Sequence, residues 1–176
     1  MKNEMKIPKV TFRVREGDEI SSEGGCPIGG EWLNKTTNDY FKNKRVVLFS
    51  LPGAFTPTCS SQQLPGFEEH YDTITKFTID EVYCISVNDS FVMNAWRDHM
   101  DIEKVKFIPD GSGEFTRRMG MLVNKENLGF GYRSWRYAMI VNDGVVERVY
   151  EEAGKGDNTS TDPFEVSKAE NVLSGC

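Results

Sequence analysis

The sequence predicts an α/β fold in which strands alternate with helices before a closing hairpin and a last helix. Three observations lead there. Two short apolar runs, Val46-Val47-Leu48-Phe49 and Val82-Tyr83-Cys84-Ile85, have the length and composition of buried strands. Each is followed by a helix-start signal, Thr56-Pro57 after the first and Asn88-Asp89 after the second. Late in the chain, Arg136 to Val141 and Val145 to Tyr150 flank Asn142-Asp143-Gly144, an Asp-Gly tip where glycine accepts the positive φ a tight hairpin needs. Strands and helices in that order stack as an α/β sandwich.

Taken in order, Val10 to Val14 alternates like a half-buried strand, and the glycine-rich stretch from Glu23 to Gly30 reads as a loop. Lys44 to Ser50 is a buried strand. A helix from Thr58 runs into the seventies, bent near Leu64-Pro65-Gly66 because proline lacks the amide donor. Asp80 to Val87 is the next strand, and Asn88 or Asp89 caps a helix carrying Phe91, Met93, Ala95 and Trp96. Val105 to Ile108 forms a short strand before the Pro109-Asp110-Gly111 turn, and Gly113 to Met119 is helical. After the hairpin, Ser167-x-x-Glu170 resembles a capping box that opens a final helix.

With 176 residues the chain suits a single domain over 1–176, large enough for a core without disulfide staples. Acidic residues outnumber basic ones 27 to 21, for a net charge of −6, which removes the clustered basic face of a nucleic-acid binder. No apolar stretch approaches the ~20 residues that span a bilayer. The start, Met1 to Lys6, is polar and lacks the apolar core of a secretory signal, so a cytoplasmic location is expected. In a reducing compartment the four cysteines, at 26, 59, 84 and 176, should be thiols or catalytic. Their wide spacing, with only His70 and His99 to assist, argues against a metal site.

The chemistry concentrates in Pro52-Gly53-Ala54-Phe55-Thr56-Pro57-Thr58-Cys59. Thr56 suits the N-cap and Pro57 the first helical position, which puts Cys59 in the first turn. There, unpaired amides and the positive end of the helix dipole favour thiolate over thiol, and the thiolate is the nucleophile. Buried cysteines are usually inert, but threonines, prolines, Ser60, Ser61 and Gln62 make poor company for a core residue.

The Pro-x-x-x-Thr-x-x-Cys pattern at Pro52, Thr56 and Cys59 resembles the peroxiredoxin signature. Leu51 to Ser60, Ser86 to Trp96 and Arg133 to Met139 are similar to the peroxiredoxin-5 subfamily, in particular to its bacterial members fused to a glutaredoxin domain. The resemblance runs from about Val10 to Leu173 and implies a thioredoxin-like fold, a central mixed sheet with flanking helices. It also implies a thiol peroxidase that reduces hydrogen peroxide and alkyl hydroperoxides through a Cys59 sulfenic acid. In that scheme Thr56 contacts sulfur and peroxide, the amides of Thr58 and Cys59 add donors, and Pro52 shields the pocket. Arg136, at the start of its strand, stabilises the charged sulfur and the peroxide oxygens. Arg133 either joins that network or belongs to the surface.

The same resemblance leaves resolution of the sulfenate open. Cys84 lies where plant relatives carry a second cysteine linked to resolving, yet a mid-strand cysteine is ordinarily a buried inert thiol. The late cysteine of animal relatives is replaced by Asp162 to Ser167, and Cys26 and Cys176 have no counterpart. One-cysteine chemistry is therefore expected, with no cofactor and with glutathione as the reducing co-substrate. In the fused relatives the glutaredoxin domain starts where this chain reaches Cys176, so either a longer parent chain or a separate glutaredoxin supplies it, and thioredoxin is the other reductant. A homodimer is implied, with Phe55, Phe91 and Phe130 as aromatic anchors near the site. Two other classes stay open on the residues alone. One is a redox relay or chaperone-like partner-binding protein; the other is a cysteine hydrolase using His70 or His99.

Overall fold

A computed structural model describes residues 4–20 and 24–176. The residues Met1 to Asn3, which open the polar start, and Glu23, where the glycine-rich loop was placed, lie outside the described residues. The centre is a five-stranded mixed sheet. Its strands are β3 (Arg45–Ser50), β4 (Glu81–Ser86), β5 (Lys106–Pro109), β8 (Tyr137–Asn142) and β9 (Val145–Glu151), ordered β5-β4-β3-β8-β9. β4 runs parallel to both β3 and β5, whereas β8 is antiparallel to β3 and to β9. The thioredoxin-like arrangement is as expected.

Side chains alternate cleanly across the middle strands, the period-2 consequence of the pleat. Val46, Leu48, Tyr83, Ile85, Tyr137 and Met139 point to one face, where β1 (Thr11–Glu16), α1 (Thr37–Phe41) and α4 (Glu114–Arg118) cover them with Phe12, Phe41 and Phe115. Val47, Phe49, Val82, Cys84, Ala138 and Ile140 point to the other. There α2 (Leu64–Thr75), α3 (Ser90–His99) and α5 (Ala169–Leu173) contribute Leu64, Phe67, Trp96 and Val172. Because both faces are covered, β3, β4 and β8 read as almost unbroken apolar runs. Cys59 belongs to the second face.

The cap of α3 and the hairpin tip both have local causes. Asp89 caps α3 by accepting from Val92 N at 3.0 Å. At the hairpin tip Asp143 and Gly144 both adopt positive φ, 47° and 78°, as an Asp-Gly two-residue turn requires. The outer side of β9 is partly occupied: Val146 N donates to Met5 O at 2.8 Å and Ile7 N to Gly144 O at 3.0 Å.

Several elements depart from the sequence expectation. β2 (Glu31–Thr36), which pairs with β1, was not foreseen, nor was α1, whose start is held by Thr36 N donating to Asp39 at 2.6 Å. β6 (Leu122–Asn124) and β7 (Tyr132–Ser134) form a separate small ladder. The bend near Pro65 lies just upstream, as a π-turn at Cys59–Gln63 in which Leu64 N reaches Cys59 O. Pro65, in the first turn of α2, has no N–H to continue the regular ladder, so the register shifts there. The expected capping box at Ser167 does not form. Ser167 is buried and its hydroxyl donates to Glu152 at 2.8 Å, and α5 starts after Lys168.

Candidate active site

The loop after β3 carries Pro52 to Cys59 to the carboxyl end of the parallel strands. Pro57 and Thr58 open the helix, and the first helical bond runs from Ser60 N to Thr56 O at 3.0 Å. Thr56 thus holds the N-cap position through its carbonyl. Its hydroxyl turns back and donates to Gly53 O at 2.7 Å, which leaves the oxygen's lone pairs as acceptors. The amides of Thr58 and Cys59 precede that first bond and belong to the donor-rich end of the helix.

The structure corrects one step of the sequence argument. Polar neighbours in the chain do not put Cys59 at the surface: it is 1% exposed, among Phe49, Leu51, Leu64 and Trp96. A helical residue takes its surroundings from the face it presents, not from its sequence neighbours.

Arg136, equally buried, stands just before β8. Its Nη1 donates to Cys59 Sγ at 3.5 Å and to Gln63 Oε1, and its Nη2 donates to both oxygens of Asp162 at 2.8 and 2.7 Å. Burial opposes the guanidinium charge, but the Cys59 sulfur and the Asp162 carboxylate outweigh it and raise its pKa. Gln63 is fixed in turn by its Nε2 donating to Ser50 O at 3.2 Å. Sequence reasoning missed Gln63, although its place four residues after Cys59 puts it on the same helical face. Asp162 had no such signal, since it reaches the site from a long irregular segment.

Arg133 is half-buried and does not bond to this network. It donates to Phe130 O at 3.1 Å and Pro52 O at 3.5 Å and so braces the cysteine loop, while burial pulls its pKa down. A Cβ at Gly53 would lie 2.7 Å from Arg133 Nη1, so a larger residue there would displace the arginine's guanidinium. Ala54 N is held by Asn88 Oδ1 at 3.0 Å, and Trp96 Nε1 donates to Ser60 Oγ at 3.0 Å. Pro52 is buried beside them.

Cys84 sits mid-strand in β4, opposite Phe49 of β3, with no exposed surface. Burial pushes its thiol well up, and nearby Cys59 adds to that shift. His70 bonds to Gly66 O and His99 packs on Phe55, so the bond to the Cys59 sulfur comes from an arginine and no histidine supplies a base. Phe55 and Phe91 are exposed, Phe91 also meeting Trp32 edge-on at 5.4 Å, and Phe130 packs under Arg133. A cavity of about 900 Å³ lies elsewhere, between β1, β2 and α3, and is lined by Arg15, Tyr40 and Phe107. Cys59 and Arg136 do not line it. No metal-binding cluster of acidic, histidine or cysteine residues occurs among the described residues, and no helix there is long and apolar enough to cross a membrane.

Residues 3–173 match the Redoxin family. A peroxiredoxin of Rhizobium etli is 60% identical over 98% of this chain and 95% of its own length. The hybrid peroxiredoxin hyPrx5 of Haemophilus influenzae is 51% identical over 96% of this chain but only 63% of its own. Among solved structures, the Plasmodium falciparum antioxidant protein, described as a 1-Cys peroxiredoxin, superposes with a TM-score of 0.87. It is 36% identical and covers 98% of each chain.

Proposed function

Because the chain belongs to the peroxiredoxin family, thiol peroxidases that reduce peroxides, we propose that Cys59 is the peroxidatic residue and that glutathione with glutaredoxin returns it to the thiol. The observation that carries this reading is the buried Arg136 guanidinium 3.5 Å from the Cys59 sulfur at the opening of a helix. In the first step the anionic sulfur attacks one peroxide oxygen. The O–O bond breaks, its electron pair leaves with the other oxygen as hydroxide or alkoxide, and Cys59 becomes a sulfenic acid. Arg136 and the first-turn amides oppose the charge that develops on the leaving oxygen, in a site that excludes water. The Thr56 oxygen accepts from the peroxide O–H, and Pro52 walls the pocket. Glutathione then displaces water from the sulfenic acid to form a mixed disulfide, and a second thiol, free or on glutaredoxin, releases it.

Glutathione is put ahead of thioredoxin because the chain resembles peroxiredoxins fused to a glutaredoxin domain, and it spans 63% of the length of a hybrid peroxiredoxin that it matches. Hydrogen peroxide should drive glutathione oxidation when a separate glutaredoxin is added, and Cys59→Ser should abolish that oxidation. Faster turnover with thioredoxin and its reductase would reassign the reductant. A chain that passes oxidation to a partner protein yet turns over no glutathione would be the relay of the alternative reading. We also propose a homodimer contact beside the site, on Phe55, Phe91 and Phe130.

Cys84 takes no part in this scheme. Its side chain is buried on a central strand and its thiol is held protonated, which makes it a poor attacking group. Cys84→Ser should leave glutathione-supported turnover largely intact and destabilise the fold by ~1–3 kcal/mol if the buried hydroxyl finds no partner. Mass spectrometry after stoichiometric peroxide should find sulfenic acid on Cys59, and with glutathione a mixed disulfide there. A dominant Cys59–Cys84 crosslink would overturn the one-cysteine scheme.

A further inference from the structure

We propose that Asp162 is a positioning residue for peroxide reduction, holding the Arg136 fork with one amino group on Cys59. The inference rests on the reading of Arg136 given above. Arg136 is 1% exposed, and its Nε, buried, has no hydrogen-bond partner, so its orientation depends on the two amino groups. One of these meets Cys59 and Gln63. The other is gripped by both oxygens of Asp162, two charge-assisted bonds on one nitrogen that anchor that end of the guanidinium. The Phe164 ring lies 5.6 Å from the guanidinium carbon and limits tilting.

The segment carrying Asp162 and Phe164 is itself tied to the strand beside Arg136. Buried Glu152 donates its backbone N–H to Arg136 O at 3.2 Å. Its Oε1 accepts from Glu165 N, Val166 N and Ser167 N at 2.8 to 2.9 Å and from Ser167 Oγ at 2.8 Å. One residue thus sets both the backbone of Arg136 and the strap that brings its counter-ion. Asp162's own side chain is 42% exposed, so it can be changed without opening the core.

Two effects of removing its charge compete. Loss of the carboxylate would leave more of the Arg136 charge uncompensated, but solvent screens a half-exposed charge to a factor of a few. A misaimed guanidinium costs more, since displacement of an oriented group by about 1 Å can slow a step ~10²-fold. Geometry should win.

The test is the single-turnover rate of the reduced protein with hydrogen peroxide. Asp162→Asn should slow it by about tenfold or more, and Asp162→Glu should recover part of the loss. In an Arg136→Ala background, Asp162→Asn should have almost no further effect, because a residue acting through Arg136 has nothing left to position. A wild-type rate in Asp162→Asn, with Arg136→Ala slow, would overturn this proposal alone. So would an Asp162→Asn loss that persists undiminished without Arg136, since that is the mark of a loosened pocket. A wild-type rate in Arg136→Ala would instead sink the underlying reading of the arginine. Melting curves of each variant verify that the compared chains are folded.

Discussion

Cys59→Ser is expected to bring peroxide reduction down to the uncatalysed rate, a loss of ~10⁶-fold if the acceleration lies at the low end of the enzymatic range. A serine hydroxyl in the same place is neither ionised nor soft enough to attack an O–O bond, and Cys84 cannot substitute from its closed position in β4. The fold should survive, because oxygen for sulfur removes little volume. The measurement is peroxide consumption by reduced protein, with circular dichroism as the control for folding. Cys26 and Cys176 remain in the variant, so residual consumption well above that of a simple thiol would relocate the chemistry to one of them.

Arg136→Ala should slow the peroxide step by ~10²–10³-fold, the usual loss for one oriented donor in a water-excluded site. Binding of small peroxides involves few contacts, so the loss should fall on the bond-breaking step. Arg136→Lys should recover little. An ammonium is a point charge and cannot meet sulfur, Gln63 and both Asp162 oxygens together. Of the partners left behind, the Asp162 carboxylate already reaches solvent, so the stability loss should come mainly from the buried Gln63 Oε1, which is left without its donor. Rates within a few-fold of wild type would remove electrostatic stabilisation by this residue from the mechanism.

The sheet was largely legible because β3, β4 and β8 are covered on both faces and must be apolar throughout. The Asp143-Gly144 tip was legible because its backbone geometry constrains residue type. What escaped has the opposite character. β2 reads Glu-Trp-Leu-Asn-Lys-Thr and is mostly exposed, so no apolar pattern marks it. β6 and β7 are three residues each, and α1 is five, too short for any period to register. At the site, the Cys59 loop and the Arg136 strand could be read because each is a contiguous motif. Gln63 could have been found from helical spacing. Asp162 could not, because 26 residues and a hairpin separate it from the arginine it holds. Burial of Cys59 was misjudged for a related reason: helical neighbours along the chain face different environments.

The contact between Met5–Ile7 and the start of β9 bears on how the molecule behaves in a crowded solution. An outer strand offers a row of unused amides and carbonyls onto which a second sheet can zip, the usual opening for aggregation. Here the leading segment occupies the first positions of that row, through Met5 O, Ile7 N and the bridge from Lys6 to Val145. Beyond it, Glu147, Arg148 and Glu151 put charge along the stretch left open. Stacking sheets there would have to desolvate those groups. The edge is thus closed partly by the chain itself and partly by charge.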